Sequence, residues 1–108
     1  MTMKLFLDDL RNPPDPTWTV ARTAEEAITH LKTGLVVAVS LDHDLGPDGP
    51  LTGYDVACYI EQAAKEGALP LIPHLQVHSA NPVGRARMTV ALVNAGMAWA
   101  RTNKKDIV

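Results

Sequence analysis

The chain has 108 residues, of which 46% are hydrophobic and 20% charged, with a formal net charge of −2 and one cysteine. These values are typical of a single globular domain, here residues 1–108, and they exclude intrinsic disorder and an intrachain disulfide. They also argue against a broad basic face for duplex DNA, and the lack of a long apolar run or signal-peptide segment predicts a cytoplasmic protein without a membrane span.

The hydrophobic pattern predicts short strands that alternate with helices, each bounded by turn or capping residues. In chain order we expect strand Leu5–Leu7, strand Trp18–Arg22, a helix from the Thr23/Glu26 capping pattern to a stop at Gly34, strand Val36–Leu41, a helix from about Gly53 to Ala64, strand Leu75–Val77, a helix opened by Asn81-Pro82 and ended at Gly96, strand Met97–Ala100, and a loosely ordered polar tail over residues 101–108. The segment between Leu45 and Thr52, rich in glycine and proline, is expected to be a loop.

This alternation predicts an α/β fold with a mostly parallel sheet and helices on both faces. The connection between the first two strands is unusual, because residues 10–16 are too few for a crossover helix and include three prolines. Either a Pro-rich loop replaces the helix, or the second strand pairs in another way.

Polar side chains follow three of the predicted strands directly, and these are Asp8, Asp9, Asp42, His43, Asp44, His78, Ser79 and Asn81. Because ligands bind at the carboxyl ends of parallel strands, we expect these side chains to converge in one crevice. Carboxylates that lie close together need protons or a divalent cation such as Mg²⁺ to neutralise them. The alternative for an acidic pair at a strand end is a capped or solvated turn.

Two histidines at strand ends, His43 and His78, form a plausible general acid and base pair, and the alternative is a hydrogen-bonded core histidine. The helix opened by Asn81-Pro82 offers backbone N–H groups to an anion, and Gly84 allows a ligand to approach closely. Arg85 opposes the helix dipole there, which suggests a bound phosphate. The alternative is a solvated Arg85 or one paired with an aspartate.

The chain resembles the receiver domain of two-component response regulators over most of its length. Asp8-Asp9 is similar to the acidic pair that holds magnesium, Asp42 to the phospho-accepting aspartate, and Ser79-Ala80 to the hydroxyl and alanine of that family. Leu45, Gly46 and Gly53 follow Asp42 at matching spacings. The resemblance implies a flavodoxin-like fold in which the Pro-rich loop replaces the first helix.

The sequence also departs from ordinary receivers. A Lys-Pro dipeptide is absent after the last predicted strand, so Lys104 or Lys105 would substitute only approximately. The motifs Leu-Asp-His-Asp-Leu-Gly from Leu41 and His-Ser-Ala-Asn-Pro-Val-Gly-Arg from His78 resemble a variant family, the cyclic-phosphate-processing receiver-like domains.

That resemblance implies a metal-assisted phosphoesterase that acts on a cyclic phosphate of a nucleotide or an RNA end. Asp8, Asp9 and Asp42 would hold Mg²⁺ or Mn²⁺, and Ser79, Asn81, Gly84 and Arg85 would bind phosphate. One histidine would activate water and the other would protonate the leaving ribose oxygen, with Asp44 orienting His43. Asp42 is alternatively a nucleophile. Two other hypotheses are a receiver switch phosphorylated on Asp42 and a non-catalytic module that binds a phosphorylated ligand.

Overall fold

A computed structural model of the chain describes residues 1–46 and 50–107, with side chains through Thr102. Its elements are β1 (Met3–Leu7), β2 (Trp18–Ala21), α1 (Ala24–Leu31), β3 (Val36–Leu41), α2 (Gly53–Glu66), β4 (His74–Val77) and α3 (Pro82–Ile107). The expected loop between α2 and β3 includes residues 47–49, and the expected tail includes Val108, all of which lie outside the described residues.

The four described strands form one parallel sheet in the order β2-β1-β3-β4, which confirms the receiver-like α/β class. Residues 8–17 connect β1 to its parallel neighbour β2 without a helix, as expected. This connection is physically possible because an extended chain reaches about 3.3 Å per residue. Ten residues can therefore return along a strand that is only five residues long.

The three described helices pack on one face of the sheet. Leu5 and Leu7 of β1 point to this face and join Val39 and Leu41 of β3 in a fully buried core with side chains of all three helices. We expected helices on both faces, but the other face, which carries Phe6 and its register partners, is bordered by the Pro-rich loop. The alternation of side chains along each strand therefore gives this second face its own set of residues, which no described helix covers.

The prediction of a fifth strand at Met97–Ala100 is wrong, because α3 continues without interruption to Ile107, and the residues expected as a polar tail extend the same helix. Its buried positions keep a helical spacing on both sides of Gly96, as shown by Met88, Ala91, Leu92, Ala95, Ala98 and Trp99. The Trp99 indole N–H donates to the carbonyl of Leu69 at 3.1 Å. A glycine within a helix costs about 1 kcal/mol, which this packing offsets.

α3 has 26 residues. Even so, within the described ranges no helix combines the length and the apolar character needed to cross a membrane.

Candidate functional site

Three of the sequence-predicted site residues meet at the carboxyl edge of the sheet. Asp8, Asp42 and His78 follow β1, β3 and β4, and one ligand atom of each lies within 4.8 Å of the others. The sheet itself sets this position, since the backbone N–H groups of Asp42 and His78 continue the strand pairing at 3.0 Å. Asp8 and Asp42 are only 1% and 6% exposed. We call these three residues the edge cluster.

Asp8 is held as a carboxylate. Burial raises its pKa, but hydrogen bonds from the backbone N–H groups of Arg11 and Leu10, from His78 and the charge of Arg11 together outweigh burial and lower the pKa below its usual value. The two backbone bonds are 2.8 and 2.9 Å long and reach Oδ1. The Oδ2 atom faces the cluster and accepts the remaining contacts.

Arg11 is a site residue that the sequence analysis missed. Its Nε lies 3.0 Å from Asp8 Oδ2 and its Nη2 lies 3.7 Å from Asp42 Oδ2, so one guanidinium neutralises two buried carboxylates. The side chain is 56% exposed. The only sequence signal for it is a cation three residues after an aspartate, in a loop that prolines hold close to the strand end.

A second arginine that the analysis missed, Arg22, fixes the loop that carries Arg11. Its guanidinium donates to the carbonyls of Asp8 and Arg11 at 3.1 and 2.7 Å, and to Asn12 Oδ1 at 2.9 Å. These bonds connect the end of β2 to the Pro-rich loop. They replace part of the rigidity that a helix would give to this connection.

His78 is held at both ring nitrogens and on one ring face. Its Nε2 lies 3.1 Å from Asp8 Oδ2, its Nδ1 lies 2.7 Å from the Oγ of buried Ser40, and its ring stacks on Phe6 with centroids 4.5 Å apart. Because the Asp8 carboxylate only accepts hydrogen bonds, Nε2 carries the proton. In the tautomer with the proton on Nε2, Nδ1 can accept the Ser40 hydroxyl. Ser40 was also missed, since a serine within a strand gives no signal.

His43 belongs to a second group of polar side chains beside the edge cluster. Its Nδ1 lies 2.8 Å from Asp44 Oδ1, and Asn81 Nδ2 donates to the same oxygen at 3.4 Å. The hydrogen bond from His43 lowers the pKa of Asp44, with a smaller opposing effect of burial and a further lowering by Asn81. Asp44 is therefore an acceptor, Nδ1 of His43 carries the proton, and Nε2 of a neutral His43 has the free lone pair.

The His43 ring also occupies the space that the absent side chain of Gly84 leaves on α3. A Cβ at residue 84 would lie 2.4 Å from two carbons of the ring. The close approach expected of a ligand at Gly84 is thus made by His43. The backbone N–H of His43 donates to Asp42 Oδ1 at 2.8 Å, which couples this group to the edge cluster.

The remaining predicted site residues lie around these groups. The Asp9 carboxylate is outside the edge cluster and lies beside Gly46. The hydroxyl of buried Ser79 accepts the N–H of Asn81 at 3.1 Å, and Asn81 Oδ1 accepts the N–H of Gly84 at 3.0 Å. Asn81 thus caps the helix that was expected to bind an anion.

The Arg85 side chain is exposed and makes no ion pair with the described side chains. Lys104 and Lys105 fall beyond the side chains that the structure describes.

The edge cluster has the donors that a divalent cation requires. Metal–ligand bonds of about 2.1 Å place ligands at most about 4.2 Å apart, so donors within 4.8 Å need only a small closure. Among the described side chains, Asp42 Oδ2 has an ion-pair contact with Arg11 alone, at 3.7 Å.

The profile of a family described as "Cyclic-phosphate processing Receiver domain" matches residues 3–94, which include all of the edge cluster and the His43 group. No curated protein and no solved structure matched the chain.

Proposed function

The chain belongs to the cyclic-phosphate processing receiver domains, and we propose that it is a metal-assisted phosphoesterase that opens the cyclic phosphate of a nucleotide or an RNA end. One observation carries this proposal. The edge cluster places two buried carboxylates and an imidazole within 4.8 Å of one another at the ligand-binding edge of the sheet. Such a donor set next to a histidine with a free lone pair suits hydrolysis of a phosphodiester.

In the proposed reaction a water molecule attacks phosphorus and gives up a proton, one P–O bond to ribose breaks, and the freed ribose oxygen takes a proton from solvent. His43 suits the role of general base, because Asp44 fixes the proton on Nδ1 and leaves the lone pair on Nε2 to accept a proton from water. Asp44 would also stabilise the resulting imidazolium by its charge.

With His43 as the base, the expected pair of histidines would leave His78 to protonate the leaving ribose oxygen. In this structure both nitrogens of His78 are engaged, by Asp8 and Ser40, so an acid role would require His78 to give up one of these hydrogen bonds. Holding a cation through Nε2 would likewise require His78 to release Asp8 and to carry its proton on Nδ1, where the Ser40 hydroxyl can accept it.

Asp8, Asp42 and His78 would hold Mn²⁺ or Mg²⁺. Asp9 is not among the residues whose ligand atoms lie within 4.8 Å of one another, so it would have to move to join them. A bound cation supplies Lewis acidity and charge to the phosphoryl oxygens. Arg11 would leave the carboxylates when the cation arrives and is then free to pair with a phosphate oxygen. Arg85, exposed on the first turn of α3, is a second candidate for that contact.

The test is an incubation of the whole chain with adenosine 2′,3′-cyclic phosphate in Mn²⁺, Mg²⁺ or EDTA, followed by ³¹P NMR. We expect a phosphomonoester product that requires a divalent cation. His43→Asn should lower kcat by about 10²- to 10⁴-fold, whereas His30→Asn, a histidine on α1, should leave kcat unchanged. Calorimetry should show that Asp42→Asn loses Mn²⁺ binding and that Glu61→Gln, a carboxylate paired with Lys65 on α2, retains it.

Each alternative hypothesis has its own outcome in this experiment. Lack of hydrolysis with every cation refutes the phosphoesterase. If acetyl phosphate then labels Asp42 stably, the protein is a receiver switch. If the cyclic nucleotide binds and remains intact, the protein is a binding module.

A further inference from the structure

A groove of about 340 Å³ lies on the face of the sheet that carries no helix among the described elements. Its walls come from alternate residues of the strands and from the Pro-rich loop. His78 and Arg11 line this groove, and both also contact Asp8 in the edge cluster. The groove is therefore continuous with the proposed phosphate site.

Aromatic side chains line part of this groove. Phe6 stacks in parallel with the His78 ring, and Trp18 meets Phe6 edge-on, with centroids 6.2 Å apart and planes at 72°. Trp18 is half-buried and lines the groove, and Lys4 Nζ lies over its ring at 4.8 Å from the centroid. Flat heterocycles bind to such surfaces by stacking, with little dependence on which base is present.

Gln76 supplies a hydrogen-bonding group on the same surface. Its side chain is exposed, lines the groove, and makes no hydrogen bond to any other residue in the described part of the chain. A carboxamide offers one acceptor and two donor hydrogens, which match the edge of a nucleobase. An exposed glutamine in a strand needs no partner for folding, so this amide is available to a ligand.

We propose that this groove is a base subsite, which takes the planar heterocyclic base of a nucleoside cyclic phosphate whose phosphate lies at the edge cluster. This inference rests on the proposed function and specifies its substrate class. The volume is at the lower end of the range for small-molecule sites, which suits a base better than a larger ligand. The base contacts aromatic surface and the Gln76 amide, while Arg11 lies between base and phosphate.

The test compares adenosine 2′,3′-cyclic phosphate with methyl riboside 2′,3′-cyclic phosphate, which lacks the base, in ¹⁵N NMR titrations. The indole N–H resonance of Trp18 should shift with the nucleotide and stay in place with the base-free ligand. Trp99 is an internal control in the same spectrum, because its indole is buried and bonded to Leu69.

Two glutamine variants separate base recognition from general effects. Gln76→Ala should weaken binding of the nucleotide about five- to tenfold and leave binding of the base-free ligand unchanged. Gln62→Ala, on the exposed surface of α2, should match wild type for both ligands. A trinucleotide that ends in the same cyclic phosphate assigns the subsite to RNA ends if it binds more tightly than the mononucleotide, and to free nucleotides if it binds more weakly.

The outcomes keep this inference separate from the proposed function. Equal kcat/KM for both ligands with a stationary Trp18 resonance overturns the base subsite and leaves the phosphoesterase intact. A shift of Trp18 by the nucleotide without any hydrolysis supports the subsite and refutes the enzyme. Nucleotide binding that leaves Trp18 and the Gln76→Ala affinity unaffected also overturns the subsite.

Discussion

Two glycines of α3 provide a matched test of how this helix packs at its start. Gly84 and Gly96 both lie within the helix, where replacement by alanine normally stabilises a protein by about 0.5–1 kcal/mol. Their surroundings differ. A Cβ at Gly96 has no neighbour within 4 Å, whereas a Cβ at Gly84 would lie 2.4 Å from the His43 ring.

The expected effects on stability therefore have opposite signs. Gly96→Ala should raise the free energy of unfolding by the full difference in helix propensity between glycine and alanine. Gly84→Ala gains the same helix propensity but forces the His43 ring or the helix to move. Overpacking of this kind lowers the free energy of unfolding by about 1–3 kcal/mol. The free energy of unfolding of the two variants should differ by about 1–3 kcal/mol, with Gly84→Ala near or below wild type.

Urea denaturation followed by circular dichroism measures this difference. For a chain of this size, a change of 1 kcal/mol moves the urea midpoint by about 0.3–1 M. A double-mutant cycle identifies the cause. In a His43→Ala background the clash is removed, so Gly84→Ala should stabilise as much as Gly96→Ala does. If Gly84→Ala already stabilises the protein with His43 in place, α3 does not pack closely against the His43 ring.

Four further predictions follow from the same contacts. Gly53→Ala should lower the free energy of unfolding by about 2–4 kcal/mol, because its Cβ would lie 1.8 Å from the backbone oxygen of Asp42, which cannot rotate away. A urea midpoint equal to that of wild type would contradict this geometry. Because the pKa of Asp8 is lowered from its ordinary value of 3.8, its contribution to stability is present above that pH and is lost as the pH falls through the lowered pKa. In EDTA, the urea midpoint should therefore fall less steeply for Asp8→Asn than for wild type between about pH 5 and about pH 3. Parallel curves would show that Asp8 is not the group responsible. Arg11→Ala should tighten Mn²⁺ binding in calorimetry, since the guanidinium now neutralises both carboxylates of the cluster, and weaker binding would show that Arg11 supports the site. Arg85→Ala should leave the urea midpoint unchanged and weaken binding of adenosine 2′,3′-cyclic phosphate about tenfold; unchanged affinity would remove Arg85 from the site.

Local patterns in the sequence were sufficient to predict the first four strands and the starts of all three helices. The run Val36–Leu41 has the length and β-branched content of a buried strand, and Thr23 accepts the N–H of Glu26 as the capping pattern predicts. The same patterns placed Asp8, Asp42 and His78 directly after strands. Since the strands are parallel, their carboxyl ends share one edge, and the convergence of these residues follows from topology.

The predictions from local patterns were wrong where a strand pattern and a helix pattern overlap in one segment. Met97–Ala100 alternates large and small residues as a strand does, and Gly96 resembles a helix stop. The longer helical spacing from Met88 to Trp99 is the stronger constraint, because burying that stripe against α2 and the Leu69 carbonyl outweighs the cost of one glycine.

Only the tertiary structure decided which partner each polar group has. Arg11 reaches Asp42 across 31 positions of sequence, and Ser40 reaches His78 across 38. These pairings depend on strand register and on which way a loop folds over the sheet edge, and neither leaves a periodic trace in the sequence. The sequence determined that acidic and imidazole groups gather at one edge, because each of them directly follows a predicted strand and parallel strands end at the same edge. The hydrogen-bond partners of the His43 and His78 ring nitrogens come together only after the chain has folded.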